Sequence, residues 1–251
     1  MSRYVALGSS MAAGPGIKPS APGAPFGSGR SARNYPHLVA NQLHLDLVDV
    51  TFSGATTAHV LDERQRGAPP QIDALNGSEK VVTITIGGND VGYVPLLMGA
   101  ALPSLLRKLP SIRELLDRGA REQALAGVGD ALRAVATSVC QRSPQARVIF
   151  VDYLTLLPGP GVDAAPLSPE HADLGRFVAA GLQEATATAA AATGCELVRA
   201  SQASRTHHPW SSDPWTVGAG WPLPWRPAPF HPNAAGMAAV ADLIVEQINH
   251  A

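Results

Sequence analysis

Val81-Val82-Thr83-Ile84-Thr85-Ile86-Gly87-Gly88-Asn89-Asp90 is the stretch on which the fold turns. Six β-branched residues run without a break and stop at a Gly-Gly pair. A run this short and this apolar suits a strand covered on both faces, as in a parallel sheet. Similar runs stand at residues 4–7, 47–51 and 148–151, with a shorter one at 196–198.

Between them the period changes from continuous to helical. One helix is predicted from Asn34-Tyr35-Pro36 to about His44. A second is expected over 121–142, with Leu125, Val128, Leu132, Val135, Val139 and Cys140 on one face and Ser143-Pro144 as its stop. A third opens at Ser168-Pro169-Glu170, a cap followed by proline in the first turn, and ends at Gly194. The last follows His231-Pro232-Asn233 and turns Met237, Val240, Ala241, Ile244 and Ile248 inward. Strands alternating with helices imply right-handed βαβ units. The expectation is an α/β protein: one domain over residues 1–251, a three-layer α/β/α sandwich around a five-stranded, mainly parallel sheet.

Composition agrees. Of 251 residues, 45% are hydrophobic and 16% charged, a globular balance. Lys+Arg 19 against Asp+Glu 20 gives net charge −1, with no basic stripe of the kind that binds nucleic acid. No apolar run is long enough to cross a bilayer, so no integral membrane span is expected. The start, Met-Ser-Arg and then a strand, predicts a cytoplasmic protein; a secreted chain with its leader removed would read the same way. Cys140 and Cys195 do not form a metal-type pair and read as buried free thiols or as one disulfide. Three stretches break the alternation: a Gly/Pro/Ser-rich run at 14–31, an apolar run at 94–110 that reads as a helical flap, and a long loop at 201–230 carrying Trp210, Trp215, Trp221 and Trp225.

In open α/β sheets, ligands bind beyond the carboxyl ends of the strands. There the chain places Gly8-Ser9-Ser10-Met11, Ser53-Gly54-Ala55-Thr56 and Gly87-Gly88-Asn89-Asp90. Small residues that let backbone N–H groups approach, with an amide nearby, are what an oxyanion site needs. Together with His231-Pro232-Asn233-Ala234-Ala235-Gly236, these blocks resemble, in order, the four sequence blocks of the GDSL/SGNH hydrolases. The likeness spans residues 8–236 and implies the flavodoxin-like SGNH hydrolase fold and carboxylic ester hydrolysis through an acyl-serine. It assigns the nucleophile to Ser10 and the general base to His231, and the oxyanion donors to the Ser10 and Gly54 N–H groups and the Asn89 side chain. It implies no cofactor and no metal, and a small-molecule or lipid ester as substrate; His207-His208 offers only a weak metal pair.

Two departures stand out. Position 9 is Ser where the family usually has Asp. The family's usual Asp three residues before the histidine is replaced by Ala228. A histidine still needs a partner to fix its tautomer, and some secreted actinobacterial members use a backbone carbonyl. The third-member candidates are therefore the carbonyl of Ala228 or a close neighbour, and the carboxylate of Asp213. Without a formal carboxylate, turnover is expected to be slower. Trp215 and Trp225 are the tryptophans expected to line the substrate pocket. Three alternatives stay open: a catalytically silent ester- or glycan-binding protein of the same fold, an acyltransferase or lysophospholipase, and, more remotely, an α/β-hydrolase with its Gly-x-Ser-x-Gly elbow.

Overall fold

The computed structural model describes residues 2–221, 223 and 226–250. Five strands, β1 (Arg3–Gly8), β2 (Asp46–Asp49), β3 (Glu79–Thr85), β4 (Arg147–Val151) and β5 (Glu196–Val198), form one sheet in the order β2-β1-β3-β4-β5. Every pairing is parallel. The helices are α1 (Ser10–Ala13), α2 (Tyr35–Leu43), α3 (Thr57–Leu61), α4 (Tyr93–Ala100), α5 (Pro110–Leu115), α6 (Arg118–Arg142), α7 (Pro169–Thr193), α8 (Ala200–Ala203) and α9 (Ala234–Asn249).

Strand residues alternate between two apolar layers, as the pleat requires. Val5, Leu7, Val82, Ile84, Val148 and Phe150 face the cluster built with α3, α4, α6 and α7. Tyr4, Ala6, Val81, Ile149 and Val151 face the cluster built with α2 and α9. Burial on both faces is why the strand sequences are nearly continuous in apolar residues. The outcome is the expected three-layer α/β/α arrangement.

Strand order reverses direction between β1 and β3. A crevice opens at such a switch point, beyond the carboxyl ends of the strands. Ser10 lies two residues past the end of β1, and Asn89 four residues past the end of β3. The topology alone therefore brings both blocks to one edge.

Boundaries differ from expectation where side chains rewrite them. Helix α6 starts three residues early because Asp117 caps it, its carboxylate accepting the Ala120 N–H at 2.8 Å. β2 ends at Asp49, whose carboxylate takes both the N–H and the hydroxyl of Thr51. The apolar flap is helical only over α4; beyond it the chain runs through a short 3₁₀ turn at Leu106–Lys108 into α5. The two cysteines are free and half-buried rather than buried, with Sγ atoms 3.6 Å apart.

Candidate active site

Ser10 Oγ and His231 Nε2 lie 2.8 Å apart, and both residues are almost buried. On its other side the ring meets the carbonyl of Pro229, 2.8 Å from Nδ1. A carbonyl can only accept, so Nδ1 carries the proton. Nε2 is left with its lone pair toward the serine hydroxyl, which donates to it. Burial lowers the His231 pKa below its ordinary value, against the opposing pull of the Pro229 carbonyl. The imidazole is thus neutral, and able to accept a proton, at neutral pH.

The orienting carbonyl belongs to Pro229, the close neighbour of Ala228 that the expectation allowed. The reason is local backbone geometry: the Ala228 carbonyl already accepts the His231 N–H at 3.2 Å, closing a tight turn. That turn places Phe230, buried, at φ 56. A left-handed non-glycine residue costs about 1–2 kcal/mol. It is held there by the Phe230 N–H on the Val217 carbonyl and the Val217 N–H on the His231 carbonyl, each at 2.9 Å. Asp213 is committed elsewhere. Its carbonyl accepts from His207 Nδ1 at 2.8 Å, and its carboxylate lies 3.2 Å from the same nitrogen.

The three expected oxyanion donors come from three loops. Among the described residues no acceptor meets the N–H of Ser10 or of Gly54. Gly54 has φ 81, and this left-handed turn frees its N–H at a position a side chain would strain. The Asn89 amide gives one proton to the Ala55 carbonyl at 2.8 Å, which orients the group and leaves its second proton free. Asp90 locks the same two loops together, accepting both the N–H and the hydroxyl of Thr57. It organises loops and does not face the Ser10–His231 pair.

Supporting residues went unread in the sequence. The Tyr153 phenol accepts the Gly88 N–H at 2.9 Å and lies 3.1 Å from Ser9 Oγ. Burial pushes its pKa up to about 12, against the Ser9 and Gly88 hydrogen bonds, so it stays a neutral phenol with a proton for Ser9. Ser9 therefore takes part in joining the first and third blocks, at the position where Asp was expected. A Cβ on Gly88 would lie 2.5 Å from the Tyr153 ring, so this phenol requires glycine there. Gln71 clamps Gly8 from the other side, donating to its carbonyl and accepting its N–H. Buried Arg121 holds the Val91 carbonyl at 2.8 Å. None of the three residues is near Ser10 in sequence, and none carries a short-range signal.

The tryptophans are distributed differently from expectation. Trp215 packs against the α2/α9 cluster and stacks on His207, centroids 4.0 Å apart. It is a packing residue, because Asn233 pins this loop to the start of α9 through the Pro214 carbonyl. Trp225 lies outside the described residues. Among the described tryptophans, Trp221 lines an apolar cavity of about 610 Å³, together with Met98, Leu102, Ile112 and Phe230. Phe230 puts this cavity one residue from the histidine. His208 Nδ1 accepts the Trp210 N–H, so the two adjacent histidines turn to separate local partners.

Known proteins carry the same pattern. Residues 6–239 match the GDSL-like Lipase/Acylhydrolase family. The chain is 31% identical to Lipase 2 of Streptomyces coelicolor over 250 residues, covering 95% of this chain and 83% of that one. Among solved structures it is similar to phospholipase A1 from Streptomyces albidoflavus NA297, with TM-score 0.82, 25% identity and 98% of both chains covered. An extracellular lipase from Streptomyces rimosus superposes with TM-score 0.78 at 26% identity, over 99% of both chains. With sequence blocks, sheet topology and relatives in agreement, the chain belongs to the GDSL-like lipase/acylhydrolase family of serine ester hydrolases.

Proposed function

We propose that the protein hydrolyses apolar carboxylic esters through an acyl-enzyme on Ser10, with His231 as base and a main-chain carbonyl as the third partner. The observation that carries this reading is the 2.8 Å contact between Ser10 Oγ and a histidine whose tautomer is fixed from the far side. In the first half-reaction His231 Nε2 takes the Ser10 proton as Oγ attacks the ester carbon. The oxygen that becomes negative is received by the Ser10 and Gly54 N–H groups and the Asn89 amide. His231 then gives its proton to the departing alcohol. Water repeats the sequence to release the acid and restore the serine.

The Pro229 carbonyl stabilises the imidazolium by its dipole alone, so this step gains less than it would from a carboxylate. The oxyanion donors carry correspondingly more of the rate; losing one such donor typically costs about 10²–10³-fold. The apolar cavity beside Phe230 supports an acyl chain rather than a sugar as the larger part of the substrate.

A nitrophenyl ester series from acetate to palmitate, run with fluorophosphonate labelling, tests the reading. The wild type should label and turn over, with kcat/KM rising with chain length. Ser10→Ala should not label, and its kcat should fall by at least about 10⁴-fold. Absence of labelling in the wild type would favour a silent binding protein instead.

A further inference from the structure

The wall of the apolar cavity continues outward as residues 103–110, and there the ordinary surface pattern inverts. Leu105 is 73% exposed, Leu109 50% and Leu106 39%. Trp221, at the same cavity, is 75% exposed. Single exposed leucines are commonplace; three on the segment between the cavity-lining residues Pro103 and Ile112, with Trp221 in the lining itself, mark a contact surface.

The charges on this rim lean positive, three cations against Glu114 and, just beyond it, Asp117. Arg107, Lys108 and Arg113 stand among the leucines, and Glu114 is the one carboxylate between residues 101 and 116. Among the described residues none of the three cations enters an ion pair. A chain of net charge −1 therefore concentrates unpaired positive charge where it also exposes leucine.

We propose that residues 102–113, with Trp221, form a docking surface for an anionic lipid assembly. The leucines and the indole enter the boundary between headgroups and acyl chains, and the three cations meet the headgroup phosphates. Docked this way, the cavity mouth faces the lipid, and an acyl chain passes from the assembly into the cavity without crossing water. A second copy of this chain fits the surface less well, because a two-fold contact sets each cation cluster against its own image. The inference rests on the apolar-ester reading above, in which the cavity takes the acyl chain of an ester cleaved at Ser10.

Flotation with vesicles tests it: phosphatidylcholine alone, and phosphatidylcholine mixed with phosphatidylglycerol. The wild type should float with the mixed vesicles, more weakly with neutral ones, and progressively less as salt is added. L105S/L109S and K108E/R113E change exposed side chains only, and each should lower partition by at least about tenfold. Both should still hydrolyse soluble nitrophenyl butyrate as the wild type does. Wild type that stays off both vesicles while cleaving the soluble ester overturns the proposal, as do variants that float like wild type. So does a wild-type dimer in light scattering that L105S/L109S makes monomeric, with no vesicle binding. Loss of soluble-ester turnover in the wild type would instead defeat the hydrolase reading, with flotation still deciding the docking.

Discussion

At the scale of the residue, the histidine's far side sets the chemistry. A carbonyl fixes the Nδ1 proton as a carboxylate would, but it has no charge of its own to titrate. The acid limb of kcat/KM should therefore report His231 alone and fall below the usual histidine value of 6.5, the direction that burial imposes. Asp213→Asn should leave both limb and rate unchanged, because that carboxylate faces His207. A limb displaced by the substitution, or a loss of several hundredfold, would make Asp213 the partner after all. Ser10, Gly54, Asn89 and His231 could be picked out as candidates because each sits in a compact block at a strand or helix end. The Pro229 carbonyl could not, since every residue has one and only the turn at Phe230 selects which is used. Tyr153, Gln71 and Arg121 escaped for a related reason: their partners are 65, 63 and 30 residues away.

Among the elements, the cores of strands and helices were legible and their ends were not. Short apolar runs gave all five strands, while Asp117 and Asp49 moved boundaries by side-chain hydrogen bonds that periodicity does not register. Loop 201–230 was legible as a long Trp-bearing loop, but that Trp215 packs inward depended on the anchoring of Asn233. One pair of elements offers a direct test. Cys140 on α6 and Cys195 at the entry to β5 hold their sulfurs 3.6 Å apart. Burial raises the Cys195 pKa to about 11, so the thiol stays protonated and oxidises slowly in air. A disulfide oxidant should join the pair within one chain. Cross-linking residues 55 apart stabilises by at most about 4 kcal/mol through the unfolded chain, and Tm should rise by several degrees. Thiol titration before and after oxidation, with melts of both forms, checks this. Cross-linked dimers, or an unmoved Tm, would contradict it.

For the whole molecule, the layering followed from the alternation of strand and helix. The acid sensitivity to be expected of it did not, because it depends on a carboxylate buried at the sheet's amino edge. Burial would raise the Glu79 pKa, yet the Ser143 hydroxyl, the Asn76 N–H and Arg3 outweigh it and hold the group at about 2. A carboxylate whose pKa is lower folded than unfolded stabilises above its unfolded value of 4.5 and loses that contribution as pH falls toward 2. Urea melts across this interval should show wild-type stability dropping. Glu79→Gln, less stable at neutral pH, should follow a flatter course, and parallel courses would show that Glu79 is not responsible. The reacting pair carries a consequence of its own. Its two halves are 221 residues apart, one leaving the first strand and the other entering the final helix. On the proposed mechanism, no nascent fragment should cleave an ester before the last segment has closed over the sheet. Recovered turnover in a refolding experiment is thus a clock for completion of the fold, and it should never run ahead of burial of the central strand.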